Sequence, residues 1–215
     1  MKKIQKILAF TMAEMLIVIV LIGFLGVIVL NSLSKAQPDK NKVLFKKTYS
    51  VIEKTVQELV NDETLYPYDP NRPGFTNSIA VVIPGGNGTD KASGDTKFPV
   101  LIKDKLNVLS DQGVDSGNYK FSTSDGIGWL IPVGAFTRGS EKMITVDVNG
   151  FDKGPNTHLT QISDGIDKMD VFQVYVNFDG KVNVKGDVEQ YFLLSHSTKA
   201  KDEDYNKKKA KENKQ

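Results

Sequence analysis

Lys6-Ile7-Leu8-Ala9-Phe10-Thr11-Met12-Ala13-Glu14-Met15-Leu16 opens the stretch on which the reading of this chain turns. From Ile7 to Leu30 the only charge is Glu14, and Lys2, Lys3 and Lys6 precede the run. As a helix, Phe10 to Leu30 would extend roughly 31 Å at about 1.5 Å per residue, enough to cross a bilayer core. Lysines ahead of an apolar run place that end in the cytoplasm, so the rest of the chain is expected outside it. Three readings compete. A plain signal anchor explains the length and the lysines. A cleaved signal peptide is suggested by the small residues of Ser34-Lys35-Ala36, but the run exceeds the usual h-region of about 7–15 residues. Neither explains Glu14, because a carboxylate in an apolar helix costs on the order of 3 kcal/mol and marks a functional position by default. Its place near the helix start softens that cost through the helix dipole.

The local string resembles the processing site of type IV prepilins and type II secretion pseudopilins. That family carries a short basic leader ending in Gly, occasionally Ala, then Phe, a few small or apolar residues, and a glutamate five residues after the cut. Here Ala9 takes the pre-cleavage position, Phe10 would become the new N-terminus, and Glu14 falls where the family glutamate belongs. Ala9 is the departure, since Gly is commoner there. The resemblance implies cleavage before Phe10, methylation of the freed amine and assembly into a helical filament, a pilus or a type II secretion-like structure. It also implies partners: copies of this chain and other pilins, a prepilin peptidase that is also a methylase, and a membrane assembly platform with an ATPase. The implied location is the bacterial inner membrane, with the N-terminus in the cytoplasm and the soluble domain periplasmic or extracellular. The alternative is a single-pass, membrane-anchored module that binds a ligand and does not polymerise.

Beyond Leu30 the chain turns polar and reaches Pro38. Apolar spacing then resumes at Val43, Leu44, Val51, Ile52, Thr55, Val56, Leu59 and Val60, positions that share one side of a 3.6-residue helix. One long helix from Phe10 to about Asp62, kinked or interrupted at Pro38, would measure roughly 80 Å. Tyr66-Pro67, Pro70 and Pro73-Gly74 end it.

The remainder reads as strands and turns. Runs at Ile79–Ile83, Tyr119–Ser122, Ile127–Val133, Met143–Val148, Val171–Phe178 and Val188–Leu194 suit strands, while Phe98–Leu109 suits either helix or strand. Phe172, Val174, Val176 and Phe178 alternate with more polar positions, and Asp179-Gly180 signals a hairpin. The expected fold is therefore α+β: a long N-terminal helix, its first half transmembrane, packed on an antiparallel meander. The expected divisions are a leader (1–9), a transmembrane or filament-core helix (10–30), its amphipathic continuation (31–62), a globular β domain (63–196) and a charged disordered tail (197–215).

Val146-Asp147-Val148-Asn149-Gly150-Phe151-Asp152-Lys153-Gly154-Pro155-Asn156, with Asp170 beyond it, is the most site-like part of that domain. It is similar to a stretch found in many pilin-like proteins, and some pseudopilins hold calcium in a loop of this region. Oxygen donors at Asp147, Asn149, Asp152 and Asp170 suit a hard cation such as Ca2+. The same residue types are also the ordinary chemistry of tight turns, and that reading weighs more. The lysines of the tail alternate with acids and lack aromatic neighbours, so a solvated tail is expected rather than a nucleic-acid contact. The chain has no cysteine, its imidazoles are His158 and His196, and it shows no nucleophile elbow or zinc-binding His pair, so no enzymatic activity is expected.

Overall fold

The computed structural model describes residues 12–36, 39–67, 75, 80–160 and 166–194; Ala9, Phe10 and the 197–215 tail lie outside them. Two helices come first, α1 (Met12–Ala36) and α2 (Lys40–Val60). The short strands β1 (Val81–Val82) and β2 (Lys91–Ala92) pair with each other and lead into α3 (Lys97–Asp104). A six-stranded sheet follows in sequence order: β3 (Val108–Asp115), β4 (Asn118–Thr123), β5 (Gly128–Pro132), β6 (Glu141–Asp147), β7 (Val171–Asn177) and β8 (Val182–Asn183). All neighbours are antiparallel, and α4 (Asp187–Leu194) closes the described chain. The α+β class and the antiparallel meander are those expected from the pattern.

The expected single long helix is corrected. Asp39 has ψ 126°, which breaks the helical ladder, and its carboxylate accepts from the backbone N–H groups of Asn41 and Lys42. That is an N-cap: a new helix begins there, so α1 and α2 are separate elements. The transmembrane half is corrected with it, because among the described residues no helix is long and apolar enough to cross a membrane.

Helix α2 is the piece that covers the sheet. Phe45, Ile52, Val56 and Leu59 are buried along one face, and Phe45 stacks on Phe172 of β7 with ring centroids 4.2 Å apart. Polar bonds follow the same line. Asn41 Nδ2 donates to the Met169 carbonyl, the Tyr49 hydroxyl to that of Val182, and Gln57 Nε2 to that of Gly180. The expected apolar face is shifted: Val43 is exposed, whereas Lys42 is buried with its ammonium over the rings of Tyr191 and Phe192.

Val188–Leu194 is helix α4 and not a strand. Asp187 and Glu189 lie in its first turn, where the dipole favours acids, and Val188 and Phe192 are buried four residues apart on one face. Phe98–Leu109 divides between α3 and the start of β3. The edge strand β3 has two register shifts, with Gly113 at φ +72° in the second, and bulges of this kind discourage pairing with another chain.

Beside α3, Phe75, Phe98 and Phe136 form an aromatic cluster with centroids 4.8–5.1 Å apart, joined by Tyr66, whose ring lies 4.8 Å from Phe75. Lys97 is fully buried there, its Nζ 4.4 Å from the Tyr66 ring centre. Burial lowers its ammonium from 10.5 to about 8. Between those two values the unfolded chain binds the proton that the folded chain has released, so this group makes stability rise with pH across the window. The melting temperature of the wild type, measured relative to Lys97→Met, should therefore rise between about pH 8 and pH 10. A flat difference across that range would show that Lys97 titrates normally.

Candidate functional site

The acidic loop lies between β6 and β7, at the end of the sheet. Asp147 ends β6 and is 2% exposed; Asp170 immediately precedes β7 and is fully buried. The loop between them is folded back on itself through these two carboxylates. Asp147 Oδ1 accepts from the backbone N–H groups of Asn149 at 3.3 Å and Gly150 at 3.0 Å, the local turn its sequence favours. Asp170 works at longer range. Its Oδ2 accepts from Asn149 Nδ2 at 3.0 Å and from the Asn156 N–H at 2.9 Å, and its Oδ1 accepts from the Thr157 N–H at 2.5 Å. Asn156 stands at φ +52°, a conformation that Asn tolerates better than most residues, and its side chain donates to the Phe151 carbonyl. Burial, with the Asp170 carboxylate nearby, pushes the Asp147 carboxyl upward against the pull of its two N–H donors.

Two glycines let the loop lie down on the sheet. A Cβ at Gly128 of β5 would meet the Phe151 ring at 2.7 Å. Gly150, at φ +93°, holds its backbone so close to the Gly126 carbonyl that a Cβ would sit 2.7 Å from that oxygen. Lys120 of β4 places its ammonium 4.5 Å from the Phe151 ring centre, on the same patch.

Of the four candidate calcium ligands, the fold brings Asp147, Asn149 and Asp170 together and leaves Asp152 exposed on the loop tip. Calcium takes 6–8 oxygen ligands, and the described residues of the loop do not fit that demand. Both Asp170 oxygens and Asp147 Oδ1 accept from N–H donors, which take up part of the lone-pair capacity that a cation would need. Asn149 Oδ1 is buried without a hydrogen-bond partner, one carbonyl oxygen where a cage would need several. Among the described residues no group of three or more His, Cys, Asp or Glu is placed to hold a metal ion.

A second cluster adjoins the first and was hidden from the sequence. His158 Nε2 lies 2.9 Å from Glu189 Oε1, and the same oxygen accepts the Gln173 N–H at 3.2 Å. Glu189 of α4 therefore covers part of the β7 edge that the two-residue β8 leaves open, and it ties the loop exit to the last helix. The sequence signal was lost because Glu189 lies in a segment that reads as a strand. A cavity of about 280 Å³ opens elsewhere, between α2 and the β4–β5 turn, lined by Lys47, Asn107, Asp125 and Trp129 among others. Its polar groups pair with one another, Lys47 with Asp125 and Asn107 with Ser124. Trp129 is turned to Thr123 in the same way.

Of the residues read as a processing and assembly site, Ala9 and Phe10 fall outside the described residues. Glu14 is exposed in the first turn of α1. Around it the helix is apolar on every side: Leu16, Ile17, Val18 and Ile19 follow one another at about 100° intervals and are all exposed, from 42% to 63%. A helix apolar all round requires a cover.

Gly150→Ala should destabilise the domain by about 2 kcal/mol, from left-handed backbone strain and the clash with the Gly126 carbonyl, read as a lower urea midpoint at unchanged m-value.

No family model matches the chain, and the searches of curated proteins and of solved structures returned no match.

Proposed function

We propose that the chain is a structural, non-catalytic subunit of a type IV pilus or type II secretion-like filament. It is cleaved before Phe10 and assembled through its N-terminal helix. The observation that carries the reading is α1 itself: a helix with apolar side chains exposed around its whole circumference and an acid in its first turn. Exposed apolar surface of that extent marks an interaction site. Copies of the same helix, bundled in a filament core, supply a cover of matching chemistry, and Gly23 in the middle of α1 has open space around it for close approach.

Glu14 supplies the register. Cutting before Phe10 frees an amine four residues from it, and the carboxylate of one subunit then neutralises the amine of its neighbour inside the apolar core. A charge in such surroundings is tolerated only when paired, and leaving one partner alone costs about 3–5 kcal/mol. The pair therefore favours one axial placement of each incoming subunit. The partners in this reading are a prepilin peptidase that also methylates the new N-terminus, an ATP-driven assembly platform, and other copies of the chain.

Protein recovered from its native envelope should begin at Phe10, with one added methyl group, by intact mass and N-terminal sequencing. A chain beginning at Met1 or at Gln37 would refute the reading. Glu14→Ala should leave synthesis and cleavage intact and reduce sheared filament by more than about tenfold, as expected for loss of a buried charge pair. Undiminished filament from this variant would remove Glu14 from assembly.

A further inference from the structure

The loop between β6 and β7 has the composition of a calcium loop and the hydrogen bonding of something else. We infer that Asp170 takes the place a cation would hold: it is the buried anion around which the loop closes, and the loop is set without a divalent ion. Three donors from two separated parts of the loop converge on this one carboxylate, Asn149 Nδ2 from the entry and the Asn156 and Thr157 N–H groups from the exit. The backbone beneath it is bonded too, since the Asp170 carbonyl accepts from Val148 and its N–H donates to the Thr157 carbonyl. Entry and exit are thus held to the start of β7 by one residue.

The arrangement runs opposite to a metal site. Around a cation, carboxylate oxygens converge on a common centre and amide N–H groups point away. Here the N–H groups converge and the carboxylate is the centre, as in the anion-binding concavities that successive backbone amides form elsewhere. Hydrogen bonds to an ionised acceptor are about twice as strong as neutral ones, and each is strengthened further by burial. What the clasp holds in place is the exposed tip at Asp152 and Lys153, with Phe151 seated on Gly128. The inference stands whether or not the chain polymerises.

Thermal unfolding of the full chain in detergent, with excess calcium and with EDTA, tests it directly. The two melting temperatures should agree within about 1 °C; with calcium at about 100 times the dissociation constant of an extracellular-type site, binding would separate them by about 5 °C or more, and that separation would overturn the inference. Asp170→Asn places an amide against the converging N–H groups, so tryptic cleavage after Lys153 should accelerate several-fold, equally in calcium and in EDTA. Cleavage of the variant at the wild-type rate would also overturn it. Should the variant fail to fold, the calcium response of the wild type decides alone.

Discussion

The seating of α2 on the inner face of the sheet is the contact from which the rest of the domain takes its position. Phe45 lies flat on Phe172, with an interplanar angle of 11°, and Phe172 in turn meets Phe192 of α4 at 5.3 Å. Helix α2, strand β7 and helix α4 thus share a run of aromatic contacts. The far end of α2 is fixed by a different means: Gln57 donates to the Gly180 carbonyl, and a Cβ at Gly180 would stand 2.9 Å from Val60. The glycine of the β7–β8 turn is therefore needed twice, for its φ of +78° and for the close approach of α2. A helix held at both ends along one strand leaves little freedom for the sheet to slide beneath it, and the register of β7 sets that of β6 and β8.

That seating also explains why the helical region divides at Asp39. One face of α2, from Lys42 to Leu59, is buried against the domain, and the side chains of α1 from Met12 to Leu25 are exposed. A continuous helix would force α1 to follow the direction that the sheet imposes on α2. With Asp39 at a non-helical ψ and capping the first turn of α2, the domain keeps its own N-terminal boundary.

The sequence was most legible where one periodicity dominated. Alternation along β7 placed Phe172, Val174, Val176 and Phe178 on the buried face, where they are found, and Asp179-Gly180 marked the turn that follows. It was least legible where local pattern and tertiary role conflict. Val188–Leu194 is rich in the residues that strands favour, yet it is helical because Val188 and Phe192 reach the core from one face. Lys42 and Lys97 are buried, because aromatic rings that meet them come from distant positions. The candidate site was half visible. The Asp, Asn and Gly composition pointed to the loop between β6 and β7, but composition does not say whether carboxylates face a cation or face N–H donors. That distinction depends on Thr157, an inconspicuous residue whose backbone, not its side chain, makes the contact.

These features place the two kinds of specificity in different parts of the chain. The domain satisfies its own needs: its sheet is covered by α2, its most exposed edge is bulged, and its acidic loop is tied down by internal bonds. The first helix is the reverse, since its apolar surface faces outward all round and its acid stands at one end. Apolar surface alone is indifferent to register, because any axial placement of two such helices buries similar area. An acid in the first turn is not indifferent in this way, because a charge in apolar surroundings costs more in some placements than in others. In the filament proposed for this chain, association strength and association geometry would be supplied by different residues of the same helix, which is the division of labour that a repeating assembly of identical subunits requires.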